Sequence, residues 1–360
     1  MLFRYWDNSC IIYLKRKYEM PTRIQRIQKS KEKQDDEFYT IYADIAEELP
    51  NYRNQLKGKR ILCPCDWDES FEEQIVYSDG TEVFSNDLFN DSNFVKDINI
   101  NETKKSFEKK IDLIKCNFIK FLVSHADDYE IKSISVSGYD PINQKGIRFQ
   151  DIDYSKYDVV ITNPPFSQFR EFVDTMFKNN MAFIVIGPQN AITYKEVFKY
   201  IFENKMWIGY HFHLTGFDLP DGTHIPKNDN RVRTCCWFTN MEVSLRHDEM
   251  ILTEKYDESI NVKYINYDAI HVKETNSIPY DYEGEMGVPI TFLQKYNPEQ
   301  FEIIGFSGTL AKPIKDYVNP GEYQQGGPAF YTPFSNEKYK YHREFPRIVI
   351  KNKKVRKDED

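Results

Sequence analysis

Residues Asp158-Val159-Val160-Ile161-Thr162-Asn163-Pro164-Pro165-Phe166-Ser167 decide how the chain is read. Val159-Val160-Ile161 is a short run of β-branched apolar residues, the pattern of a strand buried on both faces. Asn163-Pro164-Pro165 ends it, because proline lacks a ladder N–H and keeps the residue before it out of the helical region. Phe166, Phe169, Phe172, Val173, Met176 and Phe177 then recur at helical spacing, so a helix is expected to pack back on the strand.

The same alternation extends in both directions. Upstream, the spacing predicts a helix over Tyr42 to Leu56 broken at Pro50, then a buried strand at Arg60-Ile61-Leu62-Cys63 behind Gly58. A helix near Phe107 to Ile114 and strands at Phe118 to Val123 and Ile131 to Val136 are expected next. Downstream, Phe183 to Ile186 reads as a strand ending at Gly187-Pro188. A helix over Tyr194 to Phe202 and strands at Trp207 to Phe212 and Thr234 to Thr239 complete the series. Strand–helix alternation of this kind implies an α/β fold, a mostly parallel, doubly wound sheet that binds ligands at the carboxyl ends of its strands.

Beyond about residue 245 the alternation fails. Runs such as Tyr323-Gln324-Gln325-Gly326-Gly327-Pro328 imply an irregular or small β-rich region suited to substrate recognition. Residues 1–34 read as a polar, basic arm. The expected division is therefore 1–34, 35–245 and 246–360.

The bulk properties exclude little. The chain has 360 residues, 40% hydrophobic and 29% charged, ordinary values for a globular protein. Its longest apolar run, Met181 to Ile186, falls far short of the roughly 20 residues that cross a bilayer. No secretory pattern opens the chain, and the six cysteines have no disulfide-framework spacing, so reduced thiols in a cytoplasm are expected. A net charge of −8 mildly opposes a nucleic-acid partner. Basic residues confined to one cleft remove that objection, and Lys15 to Lys33 and Lys351 to Lys357 are two local basic runs.

The loop Asn163-Pro164-Pro165-Phe166 fits one chemistry well. An exocyclic amino nitrogen is a poor nucleophile, because its lone pair is delocalised into the ring. Acceptors aimed at its two hydrogens favour the tetrahedral, positively polarised state that attacks a methyl sulfonium. Asn163 offers a side-chain oxygen and Pro164 a backbone carbonyl; Pro165 stiffens the loop, and Phe166 can stack on a base. No metal is required. A plain strand-end turn is the bland alternative. The loop alone also leaves the acceptor open among adenine, cytosine and an amide nitrogen.

The cofactor end is less explicit. The turn after the first strand, Cys63-Pro64-Cys65-Asp66-Trp67-Asp68, lacks the glycines usual against a nucleotide. Asp66 or Asp68 can accept from a donor's ammonium. Phe38-Tyr39-Thr40 can close over a cofactor or simply start a helix. Asp151 or Asp153, ahead of the central strand, can accept from a donor's adenine amino group or merely solvate a loop. A Cys-x-Cys pair with His211 and His213, or with Cys235-Cys236, is a weak metal pattern.

In these segments the chain resembles the adenine-specific methyltransferases of the EcoRI modification methylase family. The resemblance rests on Asp36-Glu37-Phe38-Tyr39-Thr40, Gly58-Lys59 ahead of Cys63-Pro64-Cys65-Asp66, and Asp158 to Ser167. Further runs are Gly187-Pro188-Gln189-Asn190-Ala191-Ile192, Trp237-Phe238-Thr239-Asn240, Met286 to Ile290 and Tyr296-Asn297-Pro298. It spans roughly residues 35 to 350. It implies a Rossmann-like methyltransferase core, S-adenosylmethionine as donor and double-stranded DNA as substrate. It also implies donor contacts from Phe38, Thr40 and the Asp66 turn, and an adenine held by Asn163, Pro164 and Phe166. Cytosine-N4 or RNA-adenine methylation, or a catalytically silent DNA-binding subunit of the same fold, are the alternatives. One enzyme acting on one adenine needs no symmetry, so a monomer is expected; a cognate restriction nuclease is compatible but not required.

Overall fold

The central sheet has seven strands, in the order Trp207–Ile208, Cys235–Thr239, Ala182–Pro188, Val159–Thr162, Arg60–Cys63, Ser133–Val136, Lys96–Asp97. The coordinates are a computed structural model, which describes residues 39–67, 75–76, 82–83, 95–101, 116–140, 145–218, 223–333 and 339–357. The basic arm, Phe38, Asp68 and the helix expected near Phe107 to Ile114 lie outside the described residues. The four middle strands pair in parallel and the pairings at both edges are antiparallel.

Alternation along these strands divides the core. Ile61, Cys63, Ile134, Val136, Ile161 and Ile186 face the helices Tyr42–Glu48 and Asn117–Ser124. Leu62, Val160, Phe183, Val185 and Phe238 face the opposite way, toward Phe169–Lys178 and Lys195–Phe202. Both faces are covered, as a sheet with parallel strands at its centre requires.

Sequence order fixes where the crevice falls. From Arg60–Cys63 the chain goes on to Ser133–Val136 on one side, and then to Val159–Thr162 on the other. The carboxyl ends of two neighbouring strands are thus left diverging, the place where open α/β sheets bind ligands.

Two expectations are corrected. Phe118 to Val123 is part of a helix, Asn117–Ser124. Phe118, Phe121 and Leu122 lie three and four residues apart and cover one buried face, and a short apolar run does not distinguish that from a strand. The strand expected over Trp207 to Phe212 stops at Ile208. Beyond it, the backbone N–H groups of Tyr210 and His211 donate to the Glu48 carboxylate, at 2.8 and 2.9 Å, instead of to a strand. The predicted break at Pro50 is present, as a 3-10 turn Leu49–Tyr52 between two helical segments.

After the Ser244–His247 turn, a second sheet forms in the order Ile270–His271, Met286–Pro289, Arg347–Asn352, Phe301–Phe306. Its inner face (Met286, Val288, Ile303, Phe306, Ile348, Ile350) joins the core behind Phe169–Lys178 and Lys195–Phe202, and Phe306 meets Phe198 with ring centroids 4.7 Å apart. Arg246, buried, bridges the two parts by lying over Trp207 at 4.0 Å and Tyr296 at 6.0 Å. Among the described residues no helix is long and apolar enough to cross a membrane.

Candidate active site

The two sequence-predicted halves of the site stand side by side. Val159–Thr162 delivers Asn163-Pro164-Pro165-Phe166, and its neighbour Arg60–Cys63 delivers Pro64-Cys65-Asp66. Thr162, fully buried, donates its hydroxyl to Asp66 Oδ2, which ties the end of one strand to the turn after the other. A third element clips that turn from the far side. The Ser137 N–H donates to Cys63 O at 3.0 Å and its hydroxyl to Pro64 O at 3.3 Å.

The Asn163 side-chain oxygen is buried, as is Pro164, while Pro165 and Phe166 are half-buried. Phe166 opens a short 3-10 turn, Phe166–Gln168, closed by the Gln168 N–H donating to Pro165 O at 2.9 Å. This turn feeds Phe169 into the core, where its ring lies against Gly187. A Cβ at Gly187 would fall 2.3 Å from the Phe169 ring, so only glycine lets the Ala182–Pro188 strand pass beneath the loop.

The Tyr39–Thr40 strand also reaches this crevice. It pairs with Gly216–Asp218, with Thr40 opposite Phe217, and the Phe217 ring meets Phe166 edge-on at 6.4 Å. Thr40 is buried, and its hydroxyl has no hydrogen-bond partner among the described residues. A buried hydroxyl without a partner is costly, roughly 1–3 kcal/mol, unless something outside the chain satisfies it.

Asp151 stands apart from this group. It ends the Phe149–Asp151 turn, exposed, with both oxygens held by Arg148 at 2.7 and 3.2 Å. Asp153 caps the next turn by accepting from the Ser155 N–H.

Burial pushes the Cys63 and Cys65 thiols well above the usual range, with the nearby Asp66 charge adding to it. His211 is engaged by Glu48, whose hydrogen bond raises its pKa. Among the described residues no three His, Cys, Asp or Glu side chains are grouped to hold a metal.

Thr162, Phe217 and Gly187 were not legible as site residues, and neither were two buried acids one helical turn apart. Asp44 accepts from Thr215, through its hydroxyl at 2.6 Å and its N–H at 2.9 Å; burial raises the Asp44 pKa and these bonds partly offset it. Glu48, fully buried, accepts from the Tyr52 hydroxyl, the Tyr210 and His211 N–H groups and the His211 ring. Together they clamp the loop that carries Phe217. The available signal was an acid pair at i, i+4 beside Ile45, Ala46 and Leu49 on a helix with an apolar face.

Fold and crevice together describe a transferase of the kind that works at the carboxyl ends of a parallel sheet. The family described as adenine-specific methyltransferase EcoRI matches residues 26–353, and the chain belongs to it. It is an adenine-specific DNA methyltransferase, which decides for adenine over cytosine and for an enzyme over a silent subunit. Among similar proteins, Type II methyltransferase M.EcoRI of Escherichia coli is 38% identical over 312 residues, covering 78% of this chain and 88% of that one. Type II methyltransferase M.MpnI of Mycoplasma pneumoniae is 29% identical over 342 residues, 90% and 97% of the two chains. M.MgeORF184P of Mycoplasma genitalium is 29% identical over 293 residues, 77% and 84%. No solved structure matches the chain.

Proposed function

We propose that the chain moves a methyl group from S-adenosylmethionine to N6 of an adenine swung out of duplex DNA. Residues 35–245 would form the Rossmann-like catalytic core, and residues 246–360 would hold the duplex. One observation carries the reading: the Asn163 loop and the Asp66 turn share one crevice and are joined by the Thr162–Asp66 bond.

The residues present suit the donor. Thr40 brings a buried hydroxyl in need of a partner, and Asp66 a buried carboxylate able to accept from an ammonium. Cys63, Pro64 and Cys65 give the turn a neutral lining, since burial keeps the thiols protonated. Phe38 and Tyr39 are assigned to the donor site on the sequence alone. Asp151 would have to exchange Arg148 for the donor's adenine amino group. When bound, the donor supplies an electrophilic methyl on a sulfonium.

The chain's own part is to prepare the amine. Asn163 Oδ1 and Pro164 O accept from the two N6 hydrogens and favour the state in which nitrogen carries positive charge. Pro165 limits the loop's freedom, and Phe166 offers a face for the extruded base, which offsets part of the few kcal/mol that extrusion costs. One such loop acting on one adenine needs neither a second subunit nor a nuclease, so the reading carries a monomer working in the cytoplasm.

The test is methyl transfer to duplex DNA followed by nucleoside analysis. N6-methyladenine is expected, and Asn163→Ala should slow single-turnover transfer by about 10²–10³ with donor affinity retained. Methyl found on cytosine N4, or an undiminished rate in the variant, would overturn it.

A further inference from the structure

The second region carries a cleft of about 380 Å³, far in sequence from the Asn163 loop. One wall is the turn Lys312-Pro313-Ile314-Lys315, and the other the loop from Gln325 to Ala329, with Tyr323 and Tyr331 lining it. A single side chain fixes the walls relative to each other. Asn266, fully buried, donates to Lys312 O at 2.7 Å and to Ala329 O at 2.9 Å, and accepts from the Tyr331 N–H at 3.1 Å. The cleft is therefore preformed.

Its charge is unusual for a chain of net charge −8. Lys312 and Lys315 are exposed, and neither forms an ion pair among the described residues. Asp268, whose carboxyl is stabilised in part by the Lys312 charge, is already paired with Lys263 at 2.8 Å. Arg343 adds a third cation, donating to Gly327 O at 3.3 Å. A Cβ at Gly326 would fall 2.5 Å from Arg343 Nε, so glycine is what lets the guanidinium lie against the loop. Lys312, Lys315 and Arg343 thus place three cations around this one cleft.

We propose that this cleft grips the sugar–phosphate backbone of the DNA substrate, with Lys312 and Lys315 each taking a phosphate. A cleft with two ammonium groups outside any ion pair among the described residues, a glycine-rich wall and no acid among its lining residues suits a polyanion. The inference rests on the reading of residues 246–360 as the part that holds the duplex. It goes further by assigning the contact and giving it a backbone character that carries no sequence information.

Phosphate contacts release counterions, so the slope of log K against log salt counts them, at about 0.9 per phosphate on duplex DNA. The experiment measures duplex binding by anisotropy across a salt series, for wild type, Lys312→Ala/Lys315→Ala and the charge reversal Lys312→Glu/Lys315→Glu. Lys57→Ala, which removes one half of an exposed ion pair with Glu130, is the control. The alanine pair should make the slope shallower by about 1.8 and weaken binding equally on cognate and unrelated duplexes, the reversal more so. Both lysines are exposed, so the fold should hold, and donor affinity by calorimetry should match wild type. A wild-type slope and affinity in the reversal variant would overturn the cleft while leaving methyl transfer untouched. Loss confined to the cognate duplex would overturn its backbone character. Absence of methyl transfer by the wild type would instead count against the functional reading.

Discussion

Thr162 and Asp66 are 96 positions apart in sequence and hydrogen-bonded in the fold, so the Asn163 loop and the Asp66 turn are tied by a side-chain contact. Thr162→Val keeps the shape and removes the donor. The Asp66 carboxylate would then lose a bond in a buried place, at a cost of about 1–3 kcal/mol. A lower melting temperature and weaker donor binding are expected together. If Asp66→Asn in the same background restores stability but not donor binding, the two roles of Asp66 separate.

Thr40→Val should behave in the opposite way. The Thr40 hydroxyl is buried with no partner among the described residues, so removing it costs the unliganded protein nothing and is expected to raise its melting temperature slightly. Donor affinity should fall by about tenfold, the worth of one hydrogen bond to a charged group. Calorimetry of donor binding set beside a thermal scan checks both signs. A drop in stability without a change in affinity would make Thr40 purely structural.

Gly187→Ala tests the seat of the Asn163 loop. The added methyl collides with the Phe169 ring, and overpacking of this kind costs about 1–3 kcal/mol. Because Phe169 follows Phe166 by three residues, the displacement should reach the loop. We expect a reduced kcat at saturating DNA and donor, beyond what the thermal shift alone explains at the assay temperature.

Acid stability has a local source in the Arg60–Asp158 pair. The Arg60 side chain hydrogen-bonds both Asp158 oxygens, at 2.9 and 3.0 Å, and holds that carboxyl down at about 2. A carboxyl depressed on folding binds fewer protons than its unfolded counterpart. Its contribution is therefore complete above the ordinary carboxylate pKa and is lost as pH falls toward 2. The pair is partly exposed, so solvent screening keeps this contribution small. Chemical denaturation of Asp158→Asn between pH 2 and 6 should converge on wild type at the acid end and fall below it above about pH 4.

What was legible in the sequence was local. Val159 to Phe166 shows its strand and its break within eight residues, and Arg60 to Cys63 is equally plain. The contacts that make these two segments a site are long-range, and no spacing rule reports them. Phe217 lies 51 positions beyond Phe166. Asp44 and Glu48 read as ordinary surface acids of a helix until their partners arrive from Thr215, Tyr210 and His211. Phe118 to Val123 failed for another reason: an apolar run of that length fits either period, and its helical state is set by packing against the sheet.

The Glu48 clamp has a consequence for the order in which the enzyme can come to life. Its partners Tyr210 and His211 follow it by 162 and 163 positions, and the aromatic that covers Phe166 comes later still. During synthesis, the Asn163 loop leaves the ribosome well before the segment that closes over it. A nascent chain halted near residue 200 would own the Asn163 loop and the helix Tyr42–Glu48. Asp44 and Glu48, with only Tyr52 bonded to Glu48, would then face the place where a loop should be seated, and such a chain should bind no donor until about twenty more residues have emerged.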